Sequence, residues 1–506
     1  SSDLFIFIIN FYSIFIFDFI FDFYFLFLEG FINMVAAQEF TVSFIATSFP
    51  RDTLNVNVYN EHVLIGQVLE PLFTLGEDGL VTGDVAKSWS FNKNGDELLV
   101  ILRKDLFFSN GKQVDSEDVK FSLERHIKSP QSQSHAYLNV VKFIEILSKI
   151  KLKIKLKKPF VPVLLALSRD QLGILPKNWK FDLNSIEPFI GTGPYRILRE
   201  NNKWVLIKNL KYRKLSEVGI KKWNLDLFDP HQNILPSPST DLIVLLPKQT
   251  KELLQKKFNL FSNERTEHNT ISFFQTSFWW LNRSFNFYSL NQRLCIQKAL
   301  KQLSTNIANN LKSKIATGII PNGILGALQE RPAFDVCSLR KNIKVNIAVP
   351  ESMIELVETN LKEISSGLTK KIQFKINPFP IQDISKLQKT DNHLVIISYA
   401  GGFFDPEGYL SVLPPMLGKK TKDIFGKKAE SIRLKATEEF DGQKRSGLYK
   451  QFSILAQQQV RYIPGWIPVF FEIRSSKVSK KQTAFKYSYK LADYFEVIRK
   501  DKNDGD

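Results

Sequence analysis

Cysteine, methionine and histidine are scarce in this chain of 506 residues, which contains two, three and six of them. Cys295 and Cys337 form no CxxC pair and belong to no cysteine and histidine cluster with metal-ligand spacing, which argues against a zinc or redox site. Whether the two cysteines pair with each other stays open, although two buried free thiols is the simpler interpretation.

Recognisable catalytic motifs are also missing. The sequence contains no GxSxG motif, no HExxH motif and no cysteine paired with a nearby histidine. We expect each histidine to be an ordinary surface or core residue: His62, His126, His135, His231, His268 and His393. The sequence therefore predicts a protein that is not an enzyme and that needs no metal and no cofactor.

Lysine and arginine are absent from residues 1–37, in which residues 4–32 are almost wholly apolar and rich in phenylalanine. The apolar run is long enough to span a bilayer, and the small residues Val35-Ala36-Ala37 suit a signal peptidase. We therefore predict an export leader that is cleaved near Ala37. The alternatives are an uncleaved membrane anchor and misassigned sequence upstream of a true start at Met34.

Acidic residues are outnumbered by basic residues, 51 to 69, which gives a net charge of +18. Such an excess raises nucleic acid or an anionic membrane as partners. The basic residues are scattered, however, and the densest run, Lys149 to Lys158, alternates lysine with isoleucine or leucine. That alternation is typical of a half-buried strand with one solvated face, so no nucleic-acid partner is predicted.

The length predicts more than one domain, because a single compact core seldom holds this many residues. In the second half of the chain, predicted helices and strands alternate, which indicates an α/β lobe with a partly parallel sheet. The predicted helices are 291–304, 352–365, 427–440 and 443–460, and the predicted strands are 343–349, 372–376, 394–398 and 469–474. We expect a first lobe over 38–270, a second lobe over 271–480, and a tail over 481–506 that returns to the first lobe.

The clearest local pattern lies in residues 105–125. Leu106 to Phe108 look like the end of a strand, and Asn110-Gly111 forms a turn because both residues tolerate positive φ. Asp115 is then the predicted N-cap of a helix, whose first turn is acidic and therefore opposes the positive end of the helix dipole.

Several short motifs, weak singly but strong as an ordered set, resemble the family 5 extracellular solute-binding proteins, which include the oligopeptide, dipeptide and nickel-binding components of ABC importers. They cover roughly residues 40 to 475. They are Glu70-Pro71-Leu72-Phe73, Ala86-Lys87-Ser88-Trp89, Leu102-Arg103, Phe108-Ser109-Asn110-Gly111, Glu117-Asp118-Val119 with Phe121-Ser122-Leu123, Lys157-Lys158-Pro159-Phe160, Gly191-Thr192-Gly193-Pro194-Tyr195, Asn282, Arg293 with Ala299-Leu300, and Ile463-Pro464.

The resemblance implies an α/β fold of the two-lobed periplasmic binding protein type (type II, cluster C-like), with an extra subdomain in the first lobe over about 71–188. It implies a monomer that works in the periplasm and delivers a peptide or related small solute to the ABC permease subunits of the inner membrane. The alternative function is a ligand sensor that presents its occupancy to a membrane or regulatory partner.

Two stretches are the predicted walls of a cleft between the lobes. Trp279, Trp280 and Asn282 lie where the second lobe begins. Residues 399–405 follow a predicted buried strand, and ligands of α/β proteins commonly dock at such strand ends. The predicted ligand-binding residues are Tyr399, Gly402, Phe403, Phe404, Asp405, Trp279, Trp280 and Asn282.

Gly402 departs from the family pattern. In the oligopeptide binders an acidic residue three positions before an Asp-Pro pairs with the peptide amine, and Asp405-Pro406 places Gly402 at that position. A buried ammonium without a carboxylate partner costs several kcal/mol. The resemblance therefore implies either that Asp405 binds the amine or that the ligand is not held by a free N-terminus.

Overall fold

The computed structural model describes residues 39–46, 48–56, 59–76, 80–229, 234–247, 251, 254–255, 265–271, 275–281, 288–332, 337–364, 371–380, 391–400, 404–411, 420–460, 462–475, 477–480, 491 and 495–497. The predicted leader lies outside these residues. Within them, no helix combines the length and the apolar character that crossing a membrane requires.

The described elements follow the chain in an order that mixes strands and helices. The strands are β1 (Glu39–Ile45), β2 (Phe73–Leu75), β3 (Val81–Gly83), β4 (Ala86–Phe91), β5 (Glu97–Leu102), β6 (Val141–Ser148), β7 (Lys151–Leu156), β8 (Tyr195–Glu200), β9 (Lys203–Lys208), β10 (Lys222–Phe228), β11 (Leu242–Pro247), β12 (Arg265–Ile271), β13 (Gln275–Leu281), β14 (Ile343–Pro350), β15 (Ile372–Phe379), β16 (Leu394–Ala400), β17 (Tyr462–Pro464), β18 (Val469–Ser475), β19 (Val478–Lys480) and β20 (Phe495–Val497). The α-helices are α1 (Tyr59–Gly66), α2 (Ser116–Lys128), α3 (His135–Leu138), α4 (Val163–Ala166), α5 (Leu290–Asn310), α6 (Ile354–Glu363), α7 (Pro406–Leu410), α8 (Thr421–Phe425), α9 (Lys427–Glu438) and α10 (Gly442–Gln458).

The first lobe is built on a seven-stranded mixed sheet in the order β12–β18–β11–β1–β10–β9–β8. The central strand β1 runs parallel to β10 and β11, whereas the other neighbours are antiparallel. The inward side chains of β1, Phe40, Val42 and Phe44, are buried in the core, and polar residues alternate with them along the strand.

A four-stranded antiparallel sheet, in the order β4–β5–β7–β6, forms a separate layer with its own core. The lysine-rich strand is β7, and its burial alternates as the sequence predicts, with Leu152 and Ile154 inside. Lys153 pairs with Glu145, and Lys155 pairs with Asp96 and Glu97. The lysine face is therefore a partly neutralised outer surface of this sheet.

The turn and helix at 105–125 confirm their sequence pattern. Gly111 has a φ of +86°, and Asp115 accepts hydrogen bonds from the backbone N–H groups of Glu117 and Asp118. The Asp118 side chain accepts the backbone N–H of Asp115 in return, which completes a capping box. The predicted strand end is only an isolated bridge between Phe107 and Gln113, because the ladder of β5 stops at Leu102.

The second lobe contains a five-stranded sheet in the order β15–β14–β16–β13–β17. The strand β14 is parallel to β15 and β16, while β13 is antiparallel to β16 and β17, which confirms a partly parallel sheet. Helices α5 and α6 pack on one face, and α8, α9 and α10 contribute to the core on the other. Because both faces are covered, β13 buries five consecutive residues, Thr276 to Trp280.

The chain leaves and re-enters the first lobe through adjacent strands. β12 precedes the second lobe and pairs with β18, which follows it, with Ile271 opposite Val469. The chain is thus back in the first sheet at Val469, before the predicted start of the tail at residue 481. Leu491 also lies in the first core, where its backbone N–H donates to Gln67 Oε1 at 2.7 Å.

The four-stranded layer touches the second lobe at the end of α9. The Val161 N–H donates to the Thr437 carbonyl at 2.9 Å, and Lys158 Nζ lies 2.7 Å from Glu438 Oε1. The rings of Phe91 and Phe440 meet edge to face nearby, with their centres 5.6 Å apart.

Candidate functional site

Trp279 and Trp280 lie in the middle of the five-stranded sheet, on its two opposite faces. Trp279 has no exposed surface, and its Nε1 donates to Ser304 Oγ of α5 at 3.0 Å. Trp280 is 3% exposed and packs edge to face against Phe278 and Phe425. In this conformation both indoles belong to the core of the second lobe, and neither presents a surface to a ligand. Asn282 lies outside the described residues.

Tyr399 is placed where the second lobe meets the four-stranded layer. It is partly buried and packs against the core clusters of both. Its hydroxyl donates to the Gly408 carbonyl at 3.2 Å, and its ring meets Tyr409 edge to face. Phe404 is partly buried against the core of the second lobe. Gly402 and Phe403 lie outside the described residues.

Asp405 is engaged within the protein. It caps α7 and also accepts two hydrogen bonds from Arg445 Nη2, at 2.6 and 2.8 Å. Glu407 lies beside it, pairs with Arg433 and accepts the Tyr449 hydroxyl at 3.1 Å. Burial raises the pKa of Glu407, and the charge of Arg433 opposes that shift. Both carboxylates are thus neutralised from inside the second lobe, and neither is offered to a ligand amine.

A different buried charge, Arg169, lies in the first lobe just after α4. Its guanidinium donates from Nη1 to the Tyr137 hydroxyl at 2.9 Å and from Nη2 to His62 Nε2 at 3.0 Å, and it is 7% exposed. The ion pairs described for the first lobe use other arginines, among them Arg125 and Arg213, and give Arg169 no carboxylate. A buried charge whose described hydrogen-bond partners are neutral is costly, so a bound anion would be stabilised here.

A chain of hydrogen bonds holds Arg169 in place. The Tyr137 hydroxyl donates to Ser134 Oγ, and Ser134 donates to Gln171 Oε1 at 2.7 Å. Gln171 Nε2 in turn donates to the backbone carbonyl of Thr53 at 3.1 Å. Each bond fixes the direction of the next, so the guanidinium is oriented before any ligand arrives.

His62 and Tyr137 add no charge to this site at neutral pH. Burial, together with the charge of Arg169, lowers the pKa of His62 well below its usual value, so its Nε2 is a neutral acceptor. Burial raises the pKa of Tyr137 above its usual value, which keeps the phenol protonated. The cluster therefore carries the single positive charge of Arg169, and only two of its five N–H donors are used by described partners.

The two candidate regions meet around one core. Tyr137 belongs to the cluster of the four-stranded layer, and Tyr399 packs against that same cluster from the second lobe. Tyr137, which bonds to Arg169, and Tyr399, at the end of β16, thus contact one hydrophobic core.

Arg169, Tyr137 and His62 are not among the ligand-binding residues predicted from sequence, which are mostly aromatic residues near strand ends. One signal was present, since Arg169 and Asp170 interrupt two apolar runs. The neighbouring Asp170 suggests a self-neutralised pair in the sequence, and the described hydrogen bonds of the Arg169 guanidinium go to Tyr137 and His62.

Comparison with known proteins identifies the family to which this architecture belongs. The model of the bacterial extracellular solute-binding proteins, family 5 middle region, matches residues 81–333, which is half of the chain. The chain belongs to this family. The resemblance and the fold class predicted from sequence are therefore confirmed.

Sequence similarity to an individual family 5 protein covers only part of this chain, whereas structural similarity to solved family members covers most of it. The nickel-binding periplasmic protein of Escherichia coli is 33% identical over 210 residues, which cover 39% of this chain and only 38% of that protein. NikA from Brucella suis, solved with Fe(III)-EDTA, has a TM-score of 0.71 at 20% identity. The match covers 90% of this chain and 100% of the NikA chain. DppA from Helicobacter pylori, solved with the peptide STSA, has a TM-score of 0.70 at 17% identity, over 91% of this chain and 98% of its own.

Proposed function

We propose that this protein is the solute-binding component of an ABC importer, which captures a small solute between its lobes and delivers it to permease subunits in the membrane. Membership of family 5 supports this role, and the E. coli relative that is 33% identical over 210 residues is named as a periplasmic protein. We further propose that the protein is exported to the periplasm and acts as a monomer. The lobes close because the ligand makes contacts in the closed form that the open form lacks.

The buried guanidinium of Arg169 carries the proposal about the ligand. It is oriented by neutral partners, and three of its five N–H donors have no hydrogen-bond partner among the described residues, which suits a carboxylate or another anionic group of the solute. Tyr399, at the contact between the lobes, then closes over the solute from the second lobe. Phe404 and the predicted residues Gly402 and Phe403 form the adjoining wall in this proposal.

The same residues argue against recognition of a free amine by the Asp405 loop. Asp405 is bound to Arg445, and Glu407 is bound to Arg433. Freeing either carboxylate would strand a buried arginine, which costs several kcal/mol. We therefore propose that a peptide ligand is held by its carboxylate end.

Calorimetric titration of the purified protein with short peptides tests this proposal. Peptides with a free carboxyl terminus should bind, their C-terminally amidated forms should bind roughly ten- to a hundredfold more weakly, and N-acetylation should matter little. Arg169→Gln should remove the preference for the free carboxylate. Arg199→Gln, which changes an exposed arginine of the same lobe, is the matched control and should bind like the wild type.

Two results would count against the proposal. If no peptide of a broad panel binds the wild type, the peptide assignment is wrong. If Arg169→Gln binds free and amidated peptides as the wild type does, the ligand lies elsewhere.

A metal complex is the second candidate ligand, because a nickel-binding relative shares 33% identity over 210 residues. In the described part of the chain, no group of three or more histidine, cysteine, aspartate or glutamate side chains is placed to hold a metal ion. A metal would therefore enter as a complex with a carboxylate chelator that Arg169 can bind. Titration with Ni²⁺ alone, the chelator alone and both together separates this candidate from a peptide.

A further inference from the structure

The two cysteines of the chain meet at the surface of helix α5. Cys295, in the second turn of α5, is buried in the core of the second lobe, and Cys337 is half-buried against the same core cluster. The two thiols are close enough to interact. Burial, and then a hydrogen bond with the Cys337 thiol, raises the pKa of Cys295 to about 12.

The backbone next to Cys337 is anchored to the same helix. The Ser338 N–H donates to Asn291 Oδ1 at 3.3 Å, and Asn291 Nδ2 donates to the Ser338 carbonyl. Residues four apart on a helix lie one above the other, so Asn291 and Cys295 share one face of α5. The reciprocal bond between Asn291 and Ser338 therefore holds Cys337 beside Cys295.

The other end of the same connection is also fixed to α5. Lys301 Nζ donates to the Pro332 carbonyl at 2.9 Å, and Arg331 Nη1 donates to the Lys301 carbonyl at 3.3 Å. Described residues on both sides of 333–336, namely 331–332 and Ser338, are thus hydrogen-bonded to α5.

We propose that Cys295 and Cys337 form an intramolecular disulfide that ties the segment at 337–339 to α5. The proposal goes beyond the import function but rests on the proposed export, because disulfides persist in oxidising compartments outside the cytoplasm. The oxidant is an external disulfide, either a thiol–disulfide oxidoreductase or a small-molecule disulfide.

Cys337, the less buried of the two thiols, reacts first. The Cys337 thiolate attacks one sulfur of the external disulfide, which breaks that bond, releases one thiol and leaves a mixed disulfide on Cys337. Cys295 then loses its proton to solvent and attacks the Cys337 sulfur, which breaks the mixed disulfide and releases the second thiol. The two protein thiols lose two electrons in total, and the external disulfide is reduced to two thiols.

Alkylation and mass spectrometry of the purified wild type test the proposal directly. After treatment with oxidised glutathione under native conditions, we expect no free thiol and one cross-linked peptide pair that contains both cysteines. Reduction should restore two alkylation sites. The oxidised form should melt about 5 °C or more above the reduced form, because the cross-link restricts the unfolded chain.

Cys295→Ser and Cys337→Ser supply the controls, and each should melt at one temperature whether or not the oxidant is present. The proposal is overturned if both wild-type thiols remain open to alkylation after oxidation, or if the cross-link joins two molecules. Peptide titration of the same oxidised sample tests the import proposal separately. If the sample binds no peptide but contains the cross-linked pair, the import proposal fails and the disulfide proposal stands.

Discussion

Replacement of Arg445 by methionine is the sharpest test of the buried ion pairs in the second lobe. Arg445 is 5% exposed and gives two hydrogen bonds to Asp405, which is itself 1% exposed and caps α7. Arg445→Met removes the positive charge but keeps much of the apolar stem. The Asp405 carboxylate is then buried without its partner, and we expect the free energy of unfolding to fall by about 3–5 kcal/mol.

Lys214→Met is the matched control, because Lys214 pairs with Glu217 on the surface and both side chains are nearly half exposed. An exposed pair contributes about 0–1 kcal/mol, so this variant should unfold almost as the wild type does. Urea unfolding followed by circular dichroism compares the two, and hydrogen exchange of peptides from α7 and α10 locates the weakened region.

A double variant then distinguishes loss of charge pairing from loss of packing. Asp405→Asn keeps an oxygen that can cap α7 but removes the negative charge. Added to Arg445→Met, it should recover part of the lost stability, because no unpaired charge stays buried. A loss below about 1 kcal/mol in Arg445→Met, or a double variant less stable than both single variants, would contradict the reasoning.

Two further predictions concern the first lobe. Burial lowers the pKa of His126 from its usual 6.5 to about 3, so the folded protein binds fewer protons than the unfolded chain between these values. The stabilising effect of the neutral imidazole is complete above pH 6.5 and falls by about 1.4 kcal/mol per pH unit toward pH 3. Urea midpoints at pH 7 and pH 5 should therefore differ less in His126→Gln than in the wild type, and an equal difference would exclude this residue as the cause. Asp115→Ala should lower the free energy of unfolding by about 0.5–2 kcal/mol through loss of the cap of α2, whereas Asp115→Asn should keep most of it; equal losses in thermal unfolding would contradict the capping.

Local patterns predicted the elements of the second lobe closely. The helix predicted over 291–304 is α5, the strand predicted over 343–349 is β14, and the helix predicted over 443–460 is α10. These elements are long and strongly periodic, and their burial follows from the spacing of apolar residues alone. The cap at Asp115 was also predictable, since its partners lie within three residues along the chain.

The candidate site was harder to predict because its contacts join segments that are distant in sequence. The aromatic run at Trp279 and Trp280 suggested a cleft wall, but a strand covered on both faces buries large side chains on both sides. Arg169 could not be recognised from a local pattern, because its partners His62 and Tyr137 come from separate helices. Only the tertiary structure shows which buried charges have a carboxylate and which have neutral partners.

The pairing of β12 with β18 gives the second lobe the position of an insertion within the first. Every residue from β13 to β17 is synthesised between these two neighbouring strands, and β18 also separates β12 from β11. The seven-stranded sheet therefore cannot be completed until the whole second lobe has left the ribosome. Pairings this distant in sequence fold slowly, and until β18 arrives the edge of β11 is open to the wrong strand.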